Sequence, residues 1–132
     1  MMRKIIAVAA LFATTLAIAA PPKQSSNDVF VAPTGQAKAG DVIDIQNMIY
    51  TLYAGKKCPL PIVKAEHMRR LEVRTGDGLS VGCWGLLLGD SVVLIDPDGR
   101  QKEMSTVVFG RATLNKDGSA TLQYPSYSKY QP

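Results

Sequence analysis

Four turn motifs in the second half of the chain constrain its fold more than any other feature. They are Asp77-Gly78, Gly89-Asp90, Pro97-Asp98-Gly99 and Lys116-Asp117-Gly118. Glycine supplies the positive φ that tight turns require, and aspartate bonds to the turn backbone. The spacing of these motifs leaves room for one extended segment between each pair. The sequence therefore predicts antiparallel strands over 69–75, 79–88, 91–96, 102–109, 111–114 and 119–124.

The segment from Asp41 to Ala54 has the apolar spacing of a helix. Asp41 is placed to cap it, and Gly55 is placed to end it. Ile43 and Tyr50 lie outside the apolar arc, which spans roughly 140° of the helical wheel. That arc comprises Val42, Ile45, Met48, Ile49, Leu52 and Tyr53. We therefore predict an α+β fold, in which one amphipathic helix packs on an antiparallel β-meander of about five strands.

The first twenty residues have the features of a secretory signal peptide. Arg3 and Lys4 precede an uncharged run over 5–19, which is shorter than the roughly 20 residues of a membrane span. Ala17-Ile18-Ala19 places small residues where signal peptidase cleaves. We expect cleavage after Ala19, a periplasmic or secreted mature chain, and no stable membrane span in that chain.

The remaining sequence divides at changes of composition. We expect a flexible leader over 20–40 that can add a short edge strand at 29–31, a single domain over 41–124, and a tyrosine-rich tail over 125–132. Loss of Arg3 and Lys4 with the signal lowers the formal charge from +4 to +2. A charge this small gives little attraction to nucleic acid, so we expect no nucleic-acid partner.

Cys58 and Cys83 are the two cysteines of the chain. An even number of cysteines in an exported protein indicates a disulfide. A metal or redox role is the alternative, but there is no Cys-x-x-Cys motif, and His67 alone does not complete a four-ligand zinc site. The bond would join the end of the predicted helix to the second predicted strand of the sheet.

Catalytic motifs are few, and their contexts do not fit. Gly78-Leu79-Ser80-Val81-Gly82 matches the G-x-S-x-G nucleophile elbow, but the residues after Ser80 are poor helix formers. The only histidine, His67, precedes Ser80, whereas that hydrolase fold places its histidine last. Asp96, Asp98 and Glu103 lack the spacing of a calcium loop. We therefore expect no catalytic residue, no metal site and no cofactor.

Aromatic residues are the candidates for contact with a partner. Tyrosine and tryptophan give a large contact area at low entropic cost. Trp84 either packs in the core or faces a ligand. Tyr127 and Tyr130 lie in the tail, and Tyr124 lies just before it. Either the three tyrosines bind a protein or a glycan, or Tyr124 packs at the end of the sheet while the other two are disordered.

The run Val81-Gly82-Cys83-Trp84, followed by Val92–Ile95 and Asp98-Gly99 and preceded by Cys58, resembles small exported proteins of Gram-negative bacteria that contain a "GCW" strand. The resemblance implies export, a disulfide and an α+β fold, and it implies no activity.

These features favour a non-enzymatic binding protein of the bacterial envelope or exterior. Two alternatives stay open. One is an enzyme, or an enzyme inhibitor, that acts on the cell wall. The other is a structural or antigenic envelope component without a discrete ligand site. The sequence specifies neither the partner nor the number of subunits.

Overall fold

A computed structural model describes residues 25–128 of the chain. Within this range the protein is one antiparallel sheet of nine strands with three short 3-10 turns. The strands are β1 (Asp28–Ala32), β2 (Val42–Ile43), β3 (Tyr50–Lys57), β4 (Arg69–Thr75), β5 (Gly78–Leu87), β6 (Ser91–Ile95), β7 (Gln101–Ser105), β8 (Gly110–Leu114) and β9 (Ala120–Tyr124). The 3-10 turns are η1 (Ile45–Asn47), η2 (Ala65–His67) and η3 (Thr106–Val108).

The order of strands across the sheet is β2-β9-β8-β1-β3-β4-β5-β6-β7. Strands β3 to β7 form a meander, in which each strand pairs with the next along the chain. Strand β1 is central, because it pairs with β3 on one side and with β8 on the other. The short strand expected at 29–31 is present as β1, but it lies inside the sheet and not at its edge, so the segment 28–32 belongs to the folded domain and not to a flexible leader.

The predicted antiparallel sheet is confirmed over the second half of the chain. Gly78, Gly89, Gly99 and Gly118 all have positive φ and lie at the predicted turns. The predicted strand over 102–109 ends earlier than expected, at Ser105. The Ser105 side chain accepts a hydrogen bond from the Val107 amide, and η3 follows.

The predicted α+β fold is wrong, because residues 25–128 contain no α-helix. The segment 41–54 forms β2, η1 and the first part of β3. The predicted helix would bury Val42 and Ile49, but these side chains are 67% and 44% exposed. Ile43, which lies outside the apolar arc of that helix, is buried. Asp44 caps only the 3-10 turn η1, through a hydrogen bond from the Gln46 amide. Apolar side chains on both faces of β3 conceal the two-residue period of a strand and imitate a helical stripe.

Two hydrophobic clusters lie on opposite faces of the sheet, and β1 contributes to both. Val29 and Val31 belong to the first cluster, while Phe30 and Ala32 pack in the second. The first cluster also contains Ile43, Ile45, Met48, Tyr53, Ala112, Ala120 and Leu122. The second also contains Leu52, Leu71, Trp84, Val92, Leu94 and Phe109. Successive side chains of a strand point to opposite faces, so β1, which is buried on both faces, is apolar from Val29 to Ala32, and the buried Asp28 at its start is paired with Arg111.

The predicted disulfide between Cys58 and Cys83 is present, with Cα atoms 5.1 Å apart. It connects the segment after β3 to β5, rather than a helix to the sheet. Cys83 and Trp84 lie on opposite faces of β5, and both are buried. The disulfide therefore fixes one face of β5 while the indole packs on the other.

Candidate functional site

An apolar pocket lies beside the β5–β6 hairpin and encloses about 370 Å³. The β5–β6 hairpin supplies most of the lining, η3 contributes Thr106, and β1 and β9 contribute one aromatic residue each. The pocket is lined by Phe30, Trp84, Leu86, Leu87, Leu88, Gly89, Asp90, Ser91, Val92, Thr106, Phe109 and Tyr124. Pockets of this size and composition are typical of sites for small apolar groups.

Buried aromatic rings form the floor of the pocket. The rings of Phe30 and Trp84 meet edge to face, with centroids 5.7 Å apart. The Trp84 indole Nε1 donates a hydrogen bond of 3.0 Å to the Tyr53 carbonyl. Phe109 is buried, and its ring meets that of Tyr50 edge to face at 6.2 Å. These contacts hold the floor in place before any ligand arrives.

Leucine side chains form the rim of the pocket. Leu86, Leu87 and Leu88 are consecutive at the end of β5, and all three are exposed. Leu86 is 61% exposed and Leu88 is fully exposed. We call residues 86–88 the leucine rim. Three successive exposed apolar residues at a hairpin tip are unfavourable in water unless something covers them.

The hairpin tip is fixed to η3 by hydrogen bonds. The Asp90 carbonyl oxygen accepts from the Thr106 amide at 2.8 Å and from the Thr106 hydroxyl at 3.2 Å. The Asp90 residue itself is exposed at the edge of the pocket. Among the described residues that line the pocket there is no lysine, arginine or histidine. Asp90 is therefore the one charged residue among the described residues of the lining, and it lies at the exposed edge, or mouth, of the pocket.

Two of the four aromatic residues predicted from the sequence meet at this pocket. Trp84 is only 3% exposed and lines the pocket from below. Tyr124 is half-buried at the end of β9; burial raises the pKa of its hydroxyl, and the charge of Arg111 opposes that effect. Tyr127 is exposed outside the pocket, and its backbone amide donates to the Val107 carbonyl. Tyr130 lies outside the described residues.

Sequence reasoning did not identify Phe30, the leucine rim or Asp90 as site residues. The rim carries a visible signal, because the leucines continue without a polar residue up to the Gly89-Asp90 turn. A hairpin tip is normally polar. Phe30 gives no such signal, since its place in the site depends on the pairing of β1 with distant strands.

A charged cluster lies elsewhere on the sheet, on β3 and β4. Glu72 is buried between Arg70, at 3.4 Å, and Arg74, at 3.5 Å. Burial alone would raise the pKa of Glu72, but the hydrogen bond from Tyr53 and the two guanidinium charges lower it below its ordinary value. Burial and the contact with Glu72 raise the pKa of Tyr53 to about 12. Glu72 pairs with both guanidinium groups, and the Tyr53 hydroxyl links it to β3, so the cluster stabilises the sheet while keeping one positive charge in excess.

The motifs that the sequence raised as catalytic alternatives do not form a site. Ser80 lies within β5 and not at a turn between a strand and a helix. His67 is exposed in η2 beside Glu66, at 3.6 Å. Over residues 25–128, no group of three or more His, Cys, Asp or Glu side chains is arranged to hold a metal ion.

Within the same described range, no helix is long and apolar enough to cross a membrane. The expected signal peptide, 1–19, lies outside the described residues. No protein family, curated protein or solved structure matches this chain. The resemblance of the strand around Cys83 to small exported proteins therefore stays a prediction.

Proposed function

We propose that this chain is a non-enzymatic exported binding protein whose binding site is the apolar pocket bounded by the leucine rim. The observation that carries the proposal is the exposure of Leu86, Leu87 and Leu88 beside a pocket with a buried aromatic floor. Contiguous exposed apolar surface of this kind marks interaction sites in soluble domains. A ligand that entered the pocket would cover it.

The pocket floor is organised in advance, which favours binding. Trp84 is held by Phe30 and by the Tyr53 carbonyl, and Phe109 is held by Tyr50. Side chains that are already ordered lose little conformational freedom when a ligand arrives. The conformational entropy lost on binding is then mainly that of the ligand and of the exposed leucine side chains.

Export is supported by two features. The expected signal peptide ends at Ala19, and the disulfide between Cys58 and Cys83 is of a kind that persists in oxidising compartments. The partner of an exported protein is a molecule of the envelope or the exterior. Intact mass of the protein recovered after expression tests this premise. The mass of a chain that begins at Ala20, with both cysteines unreactive toward an alkylating reagent until they are reduced, supports export. The mass of the full-length chain with two reactive thiols contradicts it.

The binding proposal is tested by retention of envelope components on the immobilised mature chain. Leu86→Ser removes part of the rim, and Leu79→Ser is the matched control. Leu79 is a comparably exposed leucine, at 53%, on the same strand but outside the pocket. A component that the native chain and Leu79→Ser retain, and that Leu86→Ser loses, supports the proposal. The retained component is then purified and its binding to the three proteins is measured directly.

Equal retention by Leu86→Ser and Leu79→Ser would contradict a site at the rim. The alternative of a cell-wall-acting enzyme has its own result. Release of soluble fragments from peptidoglycan by the mature chain would show turnover, and it would replace the proposed function.

A further inference from the structure

We infer that the pocket takes the aliphatic chain of a single amphiphile whose head group is neutral or cationic. This rests on the proposed function and names the class of ligand for the same site. Three observations support it: the extent of the apolar surface, the charge at the mouth and the volume of the pocket.

The apolar surface includes both buried and exposed side chains. It begins at the buried rings of Trp84 and Phe109 and continues over Leu86 to Leu88, which is fully exposed. A compact apolar group on the floor would leave the leucine rim in water. An aliphatic chain contacts the floor and the rim together, and each methylene that it buries there strengthens binding.

The charge at the mouth is negative. Asp90 lies beside the leucine rim, and no basic side chain is among the described lining residues. Arg111 contacts the Tyr124 hydroxyl but is not among the lining residues, and the Asp28 carboxylate, at 2.5 Å from its guanidinium, balances its charge. A carboxylate or phosphate head group at the mouth would meet Asp90 without a compensating cation. A cationic head group would be attracted, and a neutral one would be accepted.

The volume fits one chain. About 370 Å³ lies at the lower end of the range for small-molecule pockets. The negative mouth also gives no attraction to an anionic membrane surface. We therefore assign the pocket to an amphiphile bound as a monomer and not to a bilayer.

Trp84 provides a direct measurement of occupancy. It is the only tryptophan of the chain, and it lines the pocket. The mature chain is titrated, below the critical micelle concentration, with three amphiphiles of one chain length: decyltrimethylammonium, decyl maltoside and decanoate. We expect saturable changes in Trp84 emission with the first two and severalfold weaker binding of decanoate. Because Asp90 is exposed, the difference decreases as salt is added.

Two pairs of variants locate the site. Asp90→Asn removes the discrimination against decanoate, whereas Asp77→Asn keeps it, since Asp77 lies at the β4–β5 turn, outside the pocket. Leu86→Ser weakens all binding by about tenfold, and Leu79→Ser leaves it unchanged. Circular dichroism of each variant confirms that the sheet is intact.

The inference is overturned if no amphiphile gives a saturable response, or if decanoate binds as well as decyltrimethylammonium to the native chain. Binding to zwitterionic vesicles without binding of any monomer would assign the rim to a membrane surface instead. A further outcome separates this inference from the proposed function. If an envelope component is retained through Leu86 but no alkyl compound binds, this inference is overturned and the proposed function stands. If no alkyl compound binds and no envelope component is retained through Leu86, both this inference and the proposed function are overturned.

Discussion

The indole Nε1 of Trp84 donates a hydrogen bond of 3.0 Å to the backbone carbonyl of Tyr53. Trp84 is in β5 and Tyr53 is in β3, so the bond passes over the intervening strand β4. Trp84, which forms part of the pocket floor, is thus hydrogen-bonded to a second strand of the sheet, β3. The position of the site and the stability of the fold depend on the same side chain.

Trp84→Phe should lower the free energy of unfolding by about 2–4 kcal/mol. The substitution removes part of a buried ring and leaves the Tyr53 carbonyl without its indole donor. Urea unfolding followed by circular dichroism measures the change, since the variant lacks tryptophan. Tyr127→Phe, at an exposed tyrosine, is the control and should stay within about 0.5 kcal/mol of the native chain. Equal stability of the two variants would show that the bond across β4 contributes nothing.

Gly82→Ala should disrupt the fold near the site, because backbone from β6 approaches this position. A Cβ at Gly82 would lie 2.1 Å from the Ile95 carbonyl oxygen, so the two strands would have to separate. Overpacking commonly costs about 1–3 kcal/mol, and we expect a loss at or above the upper end of that range. The midpoint of thermal unfolding measures it.

Gly76→Ala is the matched control for Gly82→Ala. Gly76 lies at the β4–β5 turn, where a Cβ would meet no atom within 4 Å. Its midpoint should equal or exceed that of the native chain, because alanine restricts the unfolded state more than glycine does. A similar decrease in both variants would contradict the close approach at Gly82.

The turns and the strands from Arg69 to Tyr124 were predictable because their signals are local. A glycine with positive φ and an aspartate beside it specify a turn wherever they occur in an antiparallel sheet. The disulfide was predictable in the same way, from two cysteines behind an expected export signal.

In the first half of the sheet only a short strand at 29–31 was predictable, because distant contacts determine the rest. Val42 and Ile49 complete a helical stripe in sequence, yet the sheet leaves both exposed and buries Ile43 instead. The central position of β1 depends on β8, which lies near the other end of the chain. Local spacing contains no information about that pairing.

The candidate site was predictable only in part. Trp84 and Tyr124 stand out by residue type, and both line the pocket. The sequence does not show that β1 brings Phe30 to the same place. It also does not show that the Leu86–Leu88 run ends as an exposed rim rather than as core.

Removal of the disulfide should lower the free energy of unfolding by about 3.5 kcal/mol. Cys58 and Cys83 are 25 residues apart, and the chain-entropy model gives this value for a loop of that length. The double variant Cys58→Ala/Cys83→Ala, compared with the native chain in urea, measures the effect. Reductant should destabilise the native chain to a similar extent and leave the double variant unchanged. A loss below about 1 kcal/mol would contradict this prediction and show that the unfolded chain gains little freedom when the bond is removed.

Stability should fall in acid through Glu72. Burial opposes its charge, but the Tyr53 hydrogen bond and the charges of Arg70 and Arg74 set the folded-state pKa of Glu72 below the ordinary 4.5. The unfolded chain therefore binds a proton more readily than the folded chain does. The stabilisation is fully present above the ordinary pKa and is lost as the pH falls through the lowered folded-state value.

Glu72→Gln tests this acid dependence. The variant should be less stable than the native chain at neutral pH, because Arg70 and Arg74 lose their partner, and it should lose less stability between about pH 6 and about pH 3. Urea unfolding at a series of pH values measures both effects. Glu103→Gln is the control: Glu103 is exposed on the edge strand β7, so its acid dependence should follow that of the native chain. If Glu72→Gln and Glu103→Gln show the same acid dependence, the buried cluster does not account for it, and exposed carboxylates must.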